Sequence, residues 1–308
     1  MKATLRRGGA GAVLGLGLLL AVLPAPAHSA DRAEETAQAE QQIIPCGDEA
    51  ALRSALVAAN TRGSGILTLP SGCVYSFTDD YPDGSGNALP TVTGNIQITS
   101  FGATIERSDA ATETFRVLDV AAGATLTLNR ITVRGGDSTT GGGIRNAGRL
   151  ILNQSVVTEN QATGDGGGIY TTDDLTLNSS RVSDNSAGGN GGGVADIGGD
   201  VRTLGGTIRD NTATSDGGGV YVSGSGATLR TTSTAFSGNL AGDQGGGIGV
   251  FGTAQARLLG SLVTGNTATS GGGIYEEPGS LVQLTSTPVT GNTPDNCAPA
   301  GSVPGCTG

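Results

Sequence analysis

Acidic residues that could bind a cation recur at a regular spacing in the second half of the chain. Glu159, Asp184 and Asp210 each precede an asparagine, whereas Asp165 and Asp216 each precede a run of three glycines. If equivalent residues stack on adjacent strands, their carboxylates lie about 4.8 Å apart and repel one another unless solvent or a cation intervenes. Carboxylate oxygens are suitable Ca²⁺ ligands. The two series therefore predict either a Ca²⁺ site or a solvated acidic edge, and no cofactor is required.

Tyrosines form the second feature that could bind a ligand. Tyr170, Tyr221 and Tyr275 each follow an aliphatic residue that comes just after a glycine triplet, and Arg145 takes the same place one repeat earlier. Because side chains alternate across a strand, these four point outwards when the aliphatic residues point inwards. The tyrosines then recur roughly 9.6 Å apart, close to the length of a disaccharide. Flat aromatic faces suit sugar rings, so the spacing predicts a sugar-binding platform. Tyrosine that simply covers a strand surface is the alternative.

Residues 1–30 have the composition of a secretory signal peptide. Basic residues precede an apolar run over residues 11–23, and small residues follow up to position 30. Removing this segment takes away the only lysine, Lys2, and the only histidine, His28. No Ser-His-Asp triad, histidine metal site or Schiff-base lysine can then form. We expect a secreted, extracellular protein with no membrane span after signal removal.

The remaining chain is acidic. It keeps 14 of the 17 basic residues, all of them arginine, against 27 acidic residues, which gives a formal charge of −13. Such a surface disfavours nucleic acids and anionic lipids as partners.

The elements that must position these residues belong to a repeat. Glycine triplets begin 25 to 28 residues apart, and each is followed by an aliphatic residue and later by an asparagine. A fixed period in this range is typical of stacked structural units. The triplets begin at Gly141, Gly166, Gly191, Gly217, Gly245 and Gly271, and the asparagines are Asn160, Asn185, Asn211, Asn239, Asn266 and Asn292.

Aliphatic residues fall into four columns when the repeats are aligned. The columns run from Val133 to Val289, from Leu126 to Val282, from Leu128 to Leu284 and from Ile144 to Ile274. Three short strands per repeat, each stacked on its equivalent in the next repeat, account for these columns. The pattern predicts an all-β fold, a single-stranded parallel β-helix.

The asparagines are predicted to be structural. Each lies three residues beyond the first of these columns. There an asparagine can adopt a left-handed conformation at a bend and exchange amide hydrogen bonds with the asparagines above and below. Six amides in register would form an internal ladder that satisfies buried polar groups.

The repeat resembles that of polymorphic outer membrane proteins. Its Gly-Gly-aliphatic phrase pairs with an aliphatic-x-x-Asn phrase, and Phe236 with Asn239 has the Phe-x-x-Asn form of that family. From about Cys46 onward the chain also resembles the pectin-lyase-like superfamily, which implies a right-handed solenoid. Pectate-lyase-like members hold Ca²⁺ with acidic side chains and abstract a proton with an arginine. The resemblance therefore implies a Ca²⁺-dependent polysaccharide lyase as an alternative function.

The chain is expected to have one folded domain after the signal peptide. Residues 31–45 have no apolar periodicity and are predicted to be a flexible leader. The β-helix domain then covers residues 46–308, with an N-terminal cap over 46–65, coils over 66–293 and a disulfide-closed tail over 294–308.

Both ends of the domain carry closing features. The stretch from Asp48 to Thr61 predicts a short amphipathic helix with Asp48 as its N-cap and Gly63 beyond its end. Secretion and an even number of cysteines predict two local disulfides. The expected pairs are Cys46 with Cys73 and Cys297 with Cys306.

These features favour a secreted bacterial recognition module that acts at a surface or in a matrix. We expect it to be a monomer, to bind a polysaccharide or cell-surface glycan, and to have no catalysis of its own, because no arginine matches a proton-abstracting residue. A Ca²⁺-dependent polysaccharide lyase and a purely structural extracellular protein are the alternatives.

Overall fold

A computed structural model of the protein describes residues 41–306, which form one α-helix and 30 strands. The predicted signal peptide, residues 31–40 of the predicted leader and the last two residues lie outside the described range. Within residues 41–306, no helix is both long and apolar enough to cross a membrane.

The strands wind into the coils of a parallel β-solenoid, which confirms the predicted fold class. Each full coil contributes two strands to a 17-stranded sheet, called here the large sheet, and one strand to an eight-stranded sheet. Between them, five coils add a two-residue strand to a five-stranded sheet. Every coil therefore rises by one strand spacing, about 4.8 Å, and brings equivalent residues into register.

The large sheet has two strand positions in each coil. The first position is occupied by Gln41–Ile43, Ser64–Thr68, Asn95–Arg107, Thr125–Arg134, Arg149–Asn153, Asp174–Asn178, Asp200–Leu204, Thr228–Thr232, Gln255–Leu259 and Leu281–Thr285. The second is occupied by Val74–Phe77, by the C-terminal halves of the two long strands Asn95–Arg107 and Thr125–Arg134, and by Val156–Thr158, Arg181–Ser183, Thr207–Arg209, Ala235–Ser237, Leu262–Thr264 and Val289–Thr290.

The two smaller sheets complete each coil. The eight-stranded sheet consists of Leu118–Val120, Ile144–Asn146, Ile169–Thr171, Val194–Ile197, Val220–Ser223, Ile248–Val250, Ile274–Glu276 and Cys297–Ala298. The five-stranded sheet consists of Asp137–Ser138, Gln161–Ala162, Ser186–Ala187, Thr212–Ala213 and Leu240–Ala241.

All four predicted aliphatic columns are confirmed by the strand register. For example, Val157 lies between Val133 and Val182 in the large sheet, and Ile169 lies beside Val194 in the eight-stranded sheet. These side chains are buried. Stacked aliphatic side chains form one continuous core along the solenoid, and their removal from water is the main favourable term in folding.

In the glycine-triplet repeats, left-handed backbone occurs at three corners of the coil: between the two strands of the large sheet, between the large and the five-stranded sheets, and at the start of each glycine triplet. At the second corner, between the large and the five-stranded sheets, the left-handed residue is Glu159, Asp184 or Asp210, with φ of 56°, 59° and 55°. The prediction that the asparagine itself is left-handed is therefore wrong, because the residue before it makes the turn. The Asn160 backbone N–H is instead directed to the next coil, where it donates to Oδ1 of Asn185 at 3.1 Å.

The predicted asparagine ladder is confirmed. Nδ2 of Asn160 donates to Oδ1 of Asn185 at 3.0 Å, and the same bond repeats at 2.9 to 3.0 Å up to Asn292. The last amide donates to Oδ1 of Asn296 at 3.1 Å. Each Nδ2 also donates to a carbonyl of the preceding coil, as Asn185 does to Val157 at 3.1 Å. The amides are buried, and the ladder satisfies both ends of each one.

A second buried ladder, built from hydroxyl groups, lies at the first corner between the two strands of the large sheet. The Oγ atom of Ser155 accepts the N–H of Ile131 at 3.2 Å and donates to the carbonyl of Leu128 at 3.1 Å. Gly206 interrupts this ladder because glycine has no hydroxyl group. A larger residue does not fit there, since a Cβ would lie 2.1 Å from the carbonyl oxygen of Ser180. Isolated hydroxyl residues look like ordinary turn residues, so the sequence pattern does not predict this ladder. Its other members are Ser180, Thr234, Ser261 and Thr287.

The predicted capping helix is present over Glu49–Arg62. The carboxylate of Asp48 accepts the N–H of Ala51 at 2.8 Å, and Gly63 ends the helix with a φ of 78°. The helix covers the first coil with the predicted apolar face, formed by Leu52, Ala55, Leu56 and Ala59.

Both predicted disulfides are also present, Cys46 with Cys73 and Cys297 with Cys306. The prediction of a flexible leader is wrong for its last residues, because Gln41–Ile43 forms a parallel strand on Ser64–Thr68. An uncovered edge strand offers unpaired backbone groups, and this segment pairs with them.

Replacing Asn211 by Ala is expected to lower the free energy of unfolding by roughly 3 kcal/mol, because buried hydrogen-bond partners on both neighbouring coils lose their contacts. Equilibrium unfolding in urea measures the effect. The exposed residue Ser186 supplies the control, and Ser186→Ala is expected to change stability by less than about 0.5 kcal/mol. Equal stability of the two variants would contradict a structural role for the ladder.

Candidate functional site

The outward side chains of the eight-stranded sheet form the face that carries the predicted sugar-binding residues. Arg145 and Tyr170 are register partners on adjacent strands. Tyr221 lies two strands further along the solenoid, and Tyr275 lies two strands beyond it. The structure thus places the four residues in one outward column, in the expected order.

Phe251 fills the gap between two of these tyrosines. Gly249 occupies the strand between Tyr221 and Tyr275, and the Phe251 ring folds over it, since a Cβ on Gly249 would lie 2.6 Å from that ring. The Phe251 ring centroid lies 4.9 Å from that of Tyr221 and 5.4 Å from that of Tyr275. We call Tyr221, Phe251 and Tyr275 the aromatic stack. The sequence does carry a signal for this contact, because an aromatic residue follows two positions after a glycine in the tyrosine column.

Two tyrosines of this face, Tyr170 and Tyr221, keep their phenolic protons at neutral pH. Burial raises the pKa of Tyr170, and the nearby carboxylate of Asp165 adds to the effect. Burial also raises the pKa of Tyr221, although the Ser223 hydroxyl acts in the opposite direction. A neutral phenol presents a flat apolar ring and a polar edge that can donate and accept hydrogen bonds.

An open groove of about 490 Å³ continues this face beyond Tyr170. Asp119 and Arg145 line it and form a bidentate ion pair, with Nε to Oδ1 at 2.6 Å and Nη2 to Oδ2 at 2.9 Å. Asp119 is only 2% exposed and also accepts the hydroxyl of Thr91 at 3.0 Å. Arg145 is therefore held in one orientation at the edge of the groove.

A second arginine lies behind this ion pair. Arg116 is buried and donates to Oδ1 of Asn87 at 2.8 Å and to the carbonyl of Gly141 at 2.9 Å. Burial, together with Arg145, lowers the pKa of Arg116 to about 10, whereas the hydrogen bond to Asp119 raises the pKa of Arg145. Both guanidiniums stay charged at neutral pH. Asp119 and Arg116 precede the first glycine triplet, so the alignment of the repeats does not reveal them.

The first acidic series lies at the second corner. Glu159, Asp184 and Asp210 are the left-handed residues of that corner, and their side chains are exposed. Glu159 pairs with Arg134 at 3.6 Å, and Asp210 pairs with Arg209. Arginines thus neutralise two of the three carboxylates.

The second acidic series belongs to a backbone ladder. Oδ1 of Asp165 accepts the N–H of Asn190 at 2.7 Å, and Oδ1 of Asn190 accepts the N–H of Asp216 at 3.1 Å. Oδ1 of Asp216 then accepts the N–H of Gln244 at 3.0 Å. Asp165 and Asp216 are therefore separated by an amide, and no group of three His, Cys, Asp or Glu side chains within residues 41–306 could hold a metal ion.

A buried polar column lies on the inner side of the eight-stranded sheet. Asn146, Thr171 and Asp196 are register partners there, and each accepts an N–H of the turn that follows it. Oδ2 of Asp196 makes no hydrogen bond with any described residue. Burial raises the pKa of Asp196 to about 7. Alternation of polar and apolar residues does not predict this column, because all three positions face the core.

The repeat is also matched by a known family over one coil. The model of the Chlamydia polymorphic membrane protein (Chlamydia_PMP) repeat matches residues 154–172. This stretch contains Asn160 of the ladder, the triplet that begins at Gly166, and Tyr170. Comparisons with curated proteins and with solved structures gave no match. The similarity is therefore one of the repeat, and it includes one position of the tyrosine face.

Replacing Asp184 by Gly is expected to raise the free energy of unfolding by up to about 1 kcal/mol, because glycine relieves the left-handed backbone at the corner. Later coils already place Gly238, Gly265 and Gly291 at this position. Urea unfolding measures the change. Asp184→Ala serves as the control, because it removes the carboxylate but keeps the Cβ. A Ca²⁺-dependent loss of stability in both variants would contradict a purely structural corner.

The buried carboxyl of Asp196 is expected to make stability depend on pH. Its pKa is about 7 in the folded protein against an ordinary value of 3.8 for aspartate, so its contribution to stability is complete below about pH 4 and is lost as pH rises through 7. Asp196→Asn cannot ionise. Relative to the wild type, this variant should therefore gain on the order of 3 kcal/mol between about pH 4 and pH 8.

Urea unfolding at several pH values tests this expectation. Asp174→Asn is the control, because Asp174 lies on a strand in a half-buried, outward position. The stability difference between Asp174→Asn and the wild type should stay nearly constant with pH. A pH-independent difference for Asp196→Asn as well would show that folding does not shift the pKa of Asp196.

Proposed function

We propose that the protein is an extracellular surface-recognition module that binds polysaccharide through its aromatic face and has no catalysis of its own. We define this face as Tyr170, Tyr221, Phe251 and Tyr275. The observation that carries the proposal is the aromatic stack, whose ring centroids are spaced at 4.9 Å and 5.4 Å along the solenoid.

The dimensions of the aromatic stack suit a sugar chain. From Tyr221 to Tyr275 the stack covers two strand spacings, or about 9.6 Å, close to the length of a disaccharide. Glycines lie beside the attachment points of the tyrosines, since a Cβ on Gly217 would lie 2.7 Å from the Cβ of Tyr221. The three rings pack against one another and form one apolar surface that sugar rings can contact.

The groove beside Tyr170 supplies polar contacts at one end of the face. Arg145 lines this groove and is held by Asp119, so its guanidinium is positioned before a ligand arrives. Pre-organised donors lose little conformational entropy on binding. Hydroxyl groups of a sugar chain that extends beyond Tyr170 are suitable acceptors for this guanidinium.

Two features support the remaining parts of the proposal. The two disulfides are typical of a protein that works in an oxidising compartment such as the cell exterior. The ion pair with Asp119 raises the pKa of Arg145, which makes this arginine a poor base. The disulfides support an extracellular location, and the raised pKa of Arg145 supports recognition without catalysis.

Replacing Tyr221, Phe251 and Tyr275 together by Ala is expected to weaken glycan binding at least about tenfold, because the variant loses the aromatic surface that the sugars contact. Retention on a glycan array, followed by calorimetry with the best ligand, measures the effect. Tyr81→Ala is the control, since Tyr81 lies in the loop near the capping helix and outside the aromatic face.

Unchanged retention of the triple variant, with its circular dichroism spectrum intact, would rule out the aromatic face as the binding site. A polysaccharide lyase is separated from a binding module by its product. Release of an ultraviolet-absorbing unsaturated product from acidic polysaccharides, only with Ca²⁺ present, would contradict the absence of catalysis.

A further inference from the structure

Three arginines form a column on the outer face of the large sheet. Arg202, Arg230 and Arg257 occupy the same register position on three consecutive strands, and all three are exposed. Consecutive strands lie about 4.8 Å apart. The three side chains are therefore anchored at that spacing along the solenoid axis. We call them the arginine column.

One carboxylate is in direct contact with the column. Asp200 pairs with Arg202 and with Arg230, whose Nη1 lies 2.8 and 2.9 Å from the two carboxylate oxygens. The hydroxyl of Thr228 donates to the same carboxylate at 2.7 Å. Arg257 makes no ion pair with any residue in the described range. Three positive charges thus share one contacting negative charge, on a chain whose formal charge after signal removal is −13.

Apolar side chains border the arginine column. Leu204 and Leu259 follow Arg202 and Arg257 by two residues on the same strands, so they point to the same side of the sheet. They are 52% and 50% exposed, and Thr232 lies between them in register. The face is therefore a cationic strip with an apolar margin.

We propose that the arginine column binds a linear acidic polysaccharide that runs along the solenoid axis. One sugar residue of an extended chain is about as long as the strand spacing, so the carboxylate or sulfate groups of successive residues can meet successive guanidiniums. The leucine margin contacts the C–H faces of the sugar rings. The column is on the large sheet and the aromatic stack is on the eight-stranded sheet, so this site goes beyond the proposed function and can act without it.

Other polyanions fit this face less well. Single-stranded nucleic acid is bound by aromatic side chains on which bases stack, whereas the residues around the arginine column are not aromatic. These neighbours are Asp200, Thr228, Thr232, Gln255 and the two leucines. Duplex DNA and anionic membranes carry dense charge over a wide area, and the acidic remainder of the chain repels them. A flexible glycan chain can contact the strip alone.

Three derivatives of one polymer test the proposal. Full-length protein is titrated with dextran sulfate, carboxymethyl dextran and unmodified dextran at low ionic strength. We expect binding to one or both charged dextrans, and the tighter one identifies the oxyanion. Replacing the three arginines of the column by Gln should weaken that binding roughly 10- to 100-fold, because three charge-assisted contacts are lost. Affinity for unmodified dextran should not change.

The control removes the same total charge from other positions. Arg130, Arg149 and Arg181 lie outside the arginine column, and their triple replacement by Gln should weaken binding less than about threefold. Equal loss in both triple variants, or no loss in the column variant, would overturn the proposal. So would wild-type protein that binds single-stranded DNA or phosphatidylglycerol vesicles but neither charged dextran.

A single substitution guards against misfolding. Arg257 has no ion pair to lose within the described residues, so Arg257→Gln should keep the wild-type circular dichroism spectrum and urea midpoint while it weakens binding about three- to tenfold. Wild-type affinity of this folded variant would contradict a role for the column.

Discussion

The buried asparagine ladder is the constraint on which the rest of the structure depends. Each amide needs a donor and an acceptor from the coils on either side of it, so every coil must return to the same register. Most of the length difference between repeats lies in one loop, between the eight-stranded sheet and the large sheet, and one residue is also missing between Asn266 and Gly271. Two residues connect Ile169–Thr171 to Asp174–Asn178, whereas four connect Val220–Ser223 to Thr228–Thr232.

The loop that varies in length also supplies Phe251, the ring between Tyr221 and Tyr275 in the aromatic face. Phe251 begins such a loop, directly after Ile248–Val250, and folds back over Gly249. The strands on either side of the loop are fixed by their hydrogen-bonded register. The position of the Phe251 ring therefore depends on the local turn. Changes in the length of this loop therefore leave the core unchanged and alter the side chains exposed on the surface.

A rigid strand spacing organises the outer surface as much as the core. Residues at one outward position recur about every 4.8 Å whatever their type, so similar side chains at that position form an evenly spaced row along the solenoid. The aromatic stack and the arginine column are two such series, on different sheets.

The interior tolerates polar groups only where each coil can satisfy the next. Hydroxyl and amide ladders meet this condition, because a side chain that both donates and accepts can repeat indefinitely. Asp196 departs from the pattern, since an ionised carboxylate only accepts. Its Oδ2 makes no hydrogen bond within residues 41–306, and burial raises its pKa.

Periodic and local features could be predicted from the sequence. The β-helix, its four aliphatic columns, the asparagine ladder, the capped helix and both disulfides depend on residues that repeat at a fixed period or lie close together in the chain. Hydrophobic burial and backbone hydrogen bonding act on such patterns in the same way in every coil. Each repeat therefore carries the pattern that specifies the fold.

Contacts that occur once were decided by the tertiary structure alone. Glu159 turns the corner in place of Asn160, Phe251 covers Gly249, and Asp119 orients Arg145 from the preceding coil. Each of these depends on which atoms meet when one particular coil lies on another, and no spacing in the sequence records that meeting. The sequence by itself determined the β-helix and its strand register. Packing between individual coils determined the chemistry of the surface, because side-chain contacts across coils depend on distances in space and not on distances along the chain.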